Sequence, residues 1–396
     1  MIRELELRLE RVKGDLDRSV IDELESELEH RKAWIAPVHR IPVELLSMIF
    51  VEAIFIDWRL LFVIGAVCRF WRQSLLGTPQ AWSFMLLGLM RDVSCIPSIL
   101  SRSAPYPINI SILSKADTYL VSLLETHVER VRCIITPPET FKITRQSFLH
   151  LTTLVLRSSS GAISTRNTRL LLDGRRFPQL RRLHCGFVFD SVQGLIWHKN
   201  NLPPIEELGL CTSRQHVATH VCQILAGQLR VLYLYFQQPY IASGDEPTKI
   251  EFPILTSLTI RYMRHRGQPQ TQLFHGHTPM LYSYTQSAES LENNLHQDTG
   301  TVQRLTYLGV IDFRPFPRVR IVISEANDIV HLVDTLEKEP HVLPDLERVV
   351  CERISGIRAR LTAFNQSYGR NIRVLREKPT VGLAAPLYTK WNPNAF

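Results

Sequence analysis

The feature that most limits what this chain can fold into is a spacing. Apolar residues at positions x, x+3 and x+5 recur at Val128-Val131-Cys133, Leu151-Leu154-Leu156, Leu180-Leu183-Cys185, Ile205-Leu208-Leu210, Leu229-Leu232-Leu234, Leu255-Leu258-Ile260 and Leu346-Val349-Cys351. The first six starts are separated by 23, 29, 25, 24 and 26 residues. A unit of that size cannot bury its apolar face alone and must stack on its neighbours. The x+3 and x+5 positions alternate as a short strand does, and amphipathic stretches such as 216–225 and 328–336 read as helices between strands. Weaker copies stand at Met280-Leu281 to Tyr284, at Val302-Leu305-Tyr307 and at Val319-Ile321-Ile323. A proline just upstream, at Pro178, Pro203, Pro253 and Pro344, reads as a strand start that does not need the missing N–H. Residues 106–112 alternate with period two and read as the first strand.

The period lies within the range of leucine-rich repeats, and residues 105–377 resemble them. The resemblance implies an α/β solenoid: roughly nine to eleven irregular strand–helix units stacked as a horseshoe, with short parallel strands lining a concave face. The asparagine of the strict pattern is replaced by Ser159, Val188, Ser213, Gln237 and Met263. An asparagine ladder is therefore not expected, and curvature should be irregular. A plain α/β domain is the alternative.

A second constraint lies upstream, in residues 41–82. Pro42 stands where a first helical position would be, and Leu45, Leu46, Ile49 and Phe50 make one apolar stripe. An apolar segment over 60–68 runs into Val67-Cys68-Arg69-Phe70-Trp71, and Thr78-Pro79-Gln80-Ala81-Trp82 closes the block. Three short helical pieces carry more apolar surface than so small a bundle can bury. These blocks, in this order, resemble an F-box of the F-box-like kind abundant in mushroom-forming fungi. Ile41 replaces the usual leucine, a change that conserves volume.

The resemblance implies a non-catalytic adaptor. An F-box docks the Skp1 subunit of a cullin-RING (SCF-type) ubiquitin ligase while the rest of the chain holds a substrate. Pro42, Leu45, Leu46, Ile49, Phe50, Val67 and Trp71 would then be the Skp1 contacts, an amphipathic helix in an apolar groove. Packing within the small bundle explains each of them as well, Phe50 and Trp71 above all. Trp82 reads as core or hinge packing.

Ahead of the F-box, residues 1–37 read as one charged helix with a weak coiled-coil tendency: Ile2, Leu5, Leu9, Val12 and Leu16 keep heptad spacing before Val20, Leu24 and Leu28 shift to fours. The seam would dimerise the adaptor, or the helix would fold back on the F-box. The expected divisions are 1–37, 38–84 (F-box-like), 85–104 (connector), 105–377 (repeats) and 378–396, a tail containing three prolines. Seven scattered cysteines with no Cys-x-x-Cys spacing read as free thiols of a reducing compartment. The charged N-terminus and the absence of a long apolar run point to an intracellular protein, cytoplasmic or nuclear, with no membrane partner.

No nucleophile elbow, phosphate loop, dinucleotide fingerprint or His-Glu-x-x-His is present, so neither catalysis nor a cofactor is expected. His216 and His220 with Cys211 and Cys222 would supply two nitrogens and two sulfurs to a metal, but their spacing fits no zinc finger and a helix surface explains them. The chain carries 46 basic and 38 acidic side chains, and the first forty residues hold 8 and 10 of them. The excess therefore lies in the repeats. Arg181, Arg182, Arg261 and Arg264 are the candidate substrate contacts, suited to an acidic or phosphorylated segment. Nucleic acid would suit the charge too, though no binding module accompanies it; a solvated basic surface also explains it. The alternative to an adaptor is a repeat scaffold that binds protein or nucleic acid without a ligase role, its F-box serving as an end cap.

Overall fold

The structure, a computed structural model, describes residues 21–23, 25–29, 41–87, 93–112, 122, 125–138, 146–157, 170–189, 195–197, 201–240, 248–262, 274–287, 299–308, 311–324, 326–351 and 356–376. The heptad residues 2–20, Arg264 and the tail 378–396 lie outside these. Two compact units emerge, one of Met1–Phe84 with Ser98–Tyr106 and one of Met85–Pro97 with Pro107–Phe396. The expected connector is thus divided between them.

In the first unit, helix α1 spans Val43–Ile56, α2 Leu60–Val67 and α3 Arg69–Leu76, followed by a 3-10 turn over Pro79–Trp82. Pro42 sits one residue before α1, where its carbonyl accepts from Leu46 N at 3.0 Å. Leu46, Phe50 and Ile54, spaced by four, form the buried face of α1, and Leu61 and Ile64 that of α2. Cys68 caps α3, its sulfur accepting from Trp71 N at 3.4 Å. The Phe50 and Trp71 rings meet at 5.1 Å. Trp82 is buried, and its indole N–H donates to the Leu75 carbonyl at 3.0 Å. The buried Thr78 hydroxyl lies 2.8 Å from Ser47 Oγ and 2.7 Å from the Ser74 carbonyl, tying the closing turn to α1 and α3. These bonds satisfy the helix ends that so short a bundle would otherwise leave open.

The second unit is mixed α/β, built on a sheet of 13 strands. Its strands are β1 Phe84–Leu87, β2 Ile108–Ile112, β3 Val131–Thr136, β4 Thr153–Arg157, β6 Arg182–Phe189, β8 Glu207–Arg214, β9 Val231–Tyr240, β11 Ser257–Tyr262, β13 Ser283–Ser287, β14 Arg304–Leu308, β15 Ile321–Ser324, β16 Arg348–Cys351 and β17 Arg373–Arg376. They lie in chain order, and all pairings from β2 to β17 are parallel. The strand expected to be first is therefore the second. Two small parallel sheets, β5 Leu170–Leu172 with β7 Leu195–Trp197 and β10 Thr248–Glu251 with β12 Phe274–His277, occupy some of the returns. A short helix, α4, spans Ile96–Arg102, and helices α5 Gln215–Leu225, α6 Ala326–Lys338 and α7 Ile357–Tyr368 occupy other returns. The expectation of one helix per unit is corrected: several described returns are extended.

The x+3 and x+5 residues form the buried face. Leu154 and Leu156, Leu183 and Cys185, Leu208 and Leu210, Leu232 and Leu234, and Leu258 and Ile260 are all excluded from solvent. Six units enter their strands through a common turn. The residue three before x offers its carbonyl to the N–H of x, as in Phe177–Leu180 at 3.3 Å, Phe252–Leu255 at 3.5 Å, Phe316–Val319 at 3.3 Å and Leu343–Leu346 at 3.2 Å. Both ends of each turn are core residues. The prolines at 178, 253, 317 and 344 thus sit second in a turn, where a fixed φ is wanted, and not at the strand start. Across the sheet, the residue before each strand donates to the carbonyl of its counterpart one unit earlier, from Thr152 on Arg132 to Glu347 on Arg320.

Two register expectations are corrected. In β3, Ile134 pairs with Leu154 and Thr136 with Leu156, so these hold the core positions, and Cys133, paired with Thr153, lies on the other face. Val319, Val322 and Ser324 are the buried set of β15, while Ile321 and Ile323 lie on the other face. The shift by one residue exchanges every side chain between faces. The core accepts a serine there because Ser324 Oγ donates to the Tyr307 carbonyl at 2.7 Å. In β13, likewise, Gln286 fills x+5 and takes a 2.6 Å bond from the Tyr284 hydroxyl.

Candidate functional site

In the first unit the apolar stripe of α1 divides. Leu46 and Phe50 are each 1% exposed, whereas Leu45 is 51% and Ile49 52% exposed. Successive helix residues are about 100° apart, so Leu45 and Leu46 cannot both face one side. Of the expected Skp1 contacts, Pro42, Leu45, Ile49 and Val67 are at the surface, Trp71 is half-buried against Phe50, and Leu46 and Phe50 hold the core. The Trp71 indole nitrogen is buried with no hydrogen-bond partner among the described residues. Met48, Ile56, Phe62 and Val63 add to the exposed set. Sequence reasoning missed these four, although α2 is apolar at all its positions and so must show apolar side chains on every face. A helix apolar all round belongs inside a structure, and among the described residues only one side of α1 and of α2 is buried.

In the second unit, the sheet face opposite the core carries the polar side chains. Position x+2 points outward there, and the residues on this face include Arg182, His184, Glu207, Tyr233, Thr259, Arg261, Thr285, Arg304, Thr306, Arg348 and Arg373, placed by register. Between β6, β8 and β9 lies a compact polar cluster. His184, 2% exposed, has Nε2 at 3.0 Å from Glu207 Oε1, and Arg182 Nε approaches Glu207 at 3.4 Å. The Tyr233 ring lies 5.9 Å from the imidazole. His184 Nδ1 is buried without a partner among the described residues. It rests over Gly209, where a Cβ would come within 2.4 Å of it.

The charges in this cluster act on one another. Burial works to raise the Glu207 pKa, but the hydrogen bond from His184 and the charges of His184 and Arg182 outweigh it and hold the carboxyl below its ordinary value. Burial, reinforced by Glu207 and opposed by Arg182, pushes the Tyr233 hydroxyl up to about 12. The tyrosine therefore stays neutral at physiological pH.

Of the expected substrate-contacting arginines, Arg181 is paired with Glu206 at the sheet's rim and Arg182 with Glu207. Arg261 is half-buried with an unpartnered Nε, and Arg264 lies outside the described residues. Arg181, Arg182 and Arg261 are not brought together as one contact site. His216 and His220 are exposed on α5, and its Cys222 is fully buried with a thiol pushed up to about 12 by burial. Among the described residues no group of three or more His, Cys, Asp and Glu could hold a metal ion, and no helix is long and apolar enough to cross a membrane.

Comparison of the chain with models of protein families, with curated proteins and with solved structures finds no match in any of the three.

Proposed function

We propose that this chain is a substrate-recognition adaptor of an SCF-type ubiquitin ligase. Its first unit is an F-box-like module that docks a Skp1-like subunit, and its second a leucine-rich-repeat-like solenoid that holds the substrate. The ligase chemistry then belongs to the cullin-RING subunits, and this chain does no catalysis. The observation that carries the reading is the two-sided α1–α2 pair. Leu46, Phe50, Ile54, Leu61 and Ile64 face inward, while Leu45, Met48, Ile49, Ile56, Phe62, Val63 and Val67 are exposed. Exposed apolar surface on this scale marks an interface, and its helical anchors suit an apolar groove. The solenoid reading is supported by parallel strands laid down in chain order, six of them entered by the same turn.

The test is co-expression with a Skp1-like protein followed by size-exclusion chromatography. The wild type should elute as a one-to-one complex. Leu45→Glu/Ile49→Glu, which spares the inward residues, should elute alone with its fold intact. A wild type that stays alone at micromolar concentrations would replace the adaptor with the scaffold reading.

A further inference from the structure

At the C-terminal end of the sheet, the outward face differs from the His184 region. Arg304 pairs in register with Ile321, Ile321 with Arg348, and Arg348 with Arg373. Three arginines thus share one row across four strands, and all three are exposed. Elsewhere along the sheet, neighbouring units answer arginine with glutamate: Arg181 with Glu206, Arg182 with Glu207 and Arg320 with Glu347. None of the three guanidiniums in the row makes an ion pair or hydrogen bond among the described residues. Glu347, adjacent in sequence to Arg348, is taken by Arg320. Like charges directly opposite on neighbouring strands repel, so Arg348 and Arg373 form a site that a bound anion would relieve.

Beside the row lies apolar ground. Ile323 and Val350 form a cluster joined by Ile321 and Leu375, on the same face as the arginines. It is aliphatic, with no aromatic ring on which a base could stack, and this favours a peptide side chain over a nucleobase.

We propose that β14–β17 form a binding surface for a phosphorylated peptide segment. Arg348 and Arg373, on strands about 5 Å apart, hold the phosphate between two guanidinium forks. The Ile321–Ile323–Val350–Leu375 cluster takes an aliphatic side chain of the segment. Arg304 lies two strands, roughly 10 Å, from Arg348, about three residues of extended chain. It meets a second acidic side chain three positions from the phosphorylated residue.

This deepens the adaptor reading by naming the class of segment the sheet holds, but its test contains no ligase subunit. Loss of peptide binding with Skp1 binding intact overturns this inference alone, and the converse overturns the adaptor reading alone. The experiment is fluorescence anisotropy of the full chain with degenerate ten-residue peptides. These carry phosphoserine, an aliphatic residue and a glutamate at the third position, and are matched by unphosphorylated peptides. Phosphorylated pools should bind at least tenfold more tightly than unphosphorylated ones. Arg348→Gln/Arg373→Gln should lose that preference, and Arg304→Gln should weaken only pools that contain the glutamate. Arg358→Gln, exposed on α7, should change nothing. Arg348→Lys/Arg373→Lys keeps the charge and should lose most of the preference, because ammonium groups lack the fork. Absence of phosphate dependence, equal binding by the double glutamine variant, tighter binding of oligothymidylate, or competition by inorganic phosphate at the peptide's own affinity would each overturn the proposal.

Discussion

The two units of this chain spend their apolar residues differently. In the helical unit, α1 and α2 carry leucine, isoleucine, valine, phenylalanine and methionine on all sides, and the bundle covers only the Leu46–Phe50–Ile54 face and its counterpart on α2. In the sheet unit the buried x+3 and x+5 positions pair each strand with the next, and the opposite face mixes arginine, threonine and serine with small apolar clusters. A repeat closes its own core by stacking on its neighbours, whereas three short helices cover one another on one side only. Among the described residues the first unit thus leaves apolar side chains uncovered, as the proposed docking requires, and the second displays a surface of mixed chemistry.

The contrast can be tested by mutations, beginning with the largest effect. Phe50→Ala removes the ring that packs on Trp71 and should cost the helical unit about 3–5 kcal/mol. Amide hydrogen exchange should then show lost protection across residues 43–82 and unchanged protection in the strands. In the sheet unit, Gly209→Ala drives a Cβ into His184, and by the measure of overpacked cores should cost about 1–3 kcal/mol. Chemical denaturation reads it, and His184→Ala in the same background should recover part of the loss.

The His184–Glu207 pair adds a pH signature. A carboxyl held below its ordinary value contributes stability that is fully present above the unfolded-state value and is lost as the pH falls through the folded-state value. Melting of the sheet unit should therefore fall more steeply with acid in the wild type than in Glu207→Gln, across and below the ordinary carboxylate range near about 4. The smallest effect belongs to the arginine row. Arg348→Gln/Arg373→Gln should leave stability unchanged or slightly higher, within about 0.5 kcal/mol, because it removes a like-charge pair and no partner. A marked loss in thermal unfolding would mean that those side chains serve the fold.

Much of the sheet unit was legible in the sequence, because its information is periodic. The x, x+3, x+5 spacing located eight strands outright, from Thr153–Arg157 to Arg348–Cys351 with Ser283–Ser287 and Arg304–Leu308 among them, and fell out of register at β3, where Cys133 turns to the other face. It slipped by one at Ser324 and could not see β17, where Val374 stands without an apolar partner at Arg376. Such positions are hidden because hydrogen bonding lets a serine or glutamine occupy a leucine's place. Phe84–Leu87 lies outside the repeat spacing and joins the sheet as β1. In the helical unit the residues were found but their facing was not, since Leu45 and Leu46 differ by a rotation that an all-apolar segment does not encode. The candidate contacts on the sheet were sought where arginines adjoin in sequence. Arg181 and Arg182 are consumed by Glu206 and Glu207, while the unpaired row of Arg304, Arg348 and Arg373 adjoins only in register.

Hydrogen–deuterium exchange of the full chain, alone and saturated with a Skp1-like protein, tests most directly the claim that the helical unit is completed by a partner while the sheet is not. The account predicts new protection confined to α1 and α2, residues 43–67, with exchange in β2–β17 unaltered. Protection falling on the strands, or none at saturation, would contradict it.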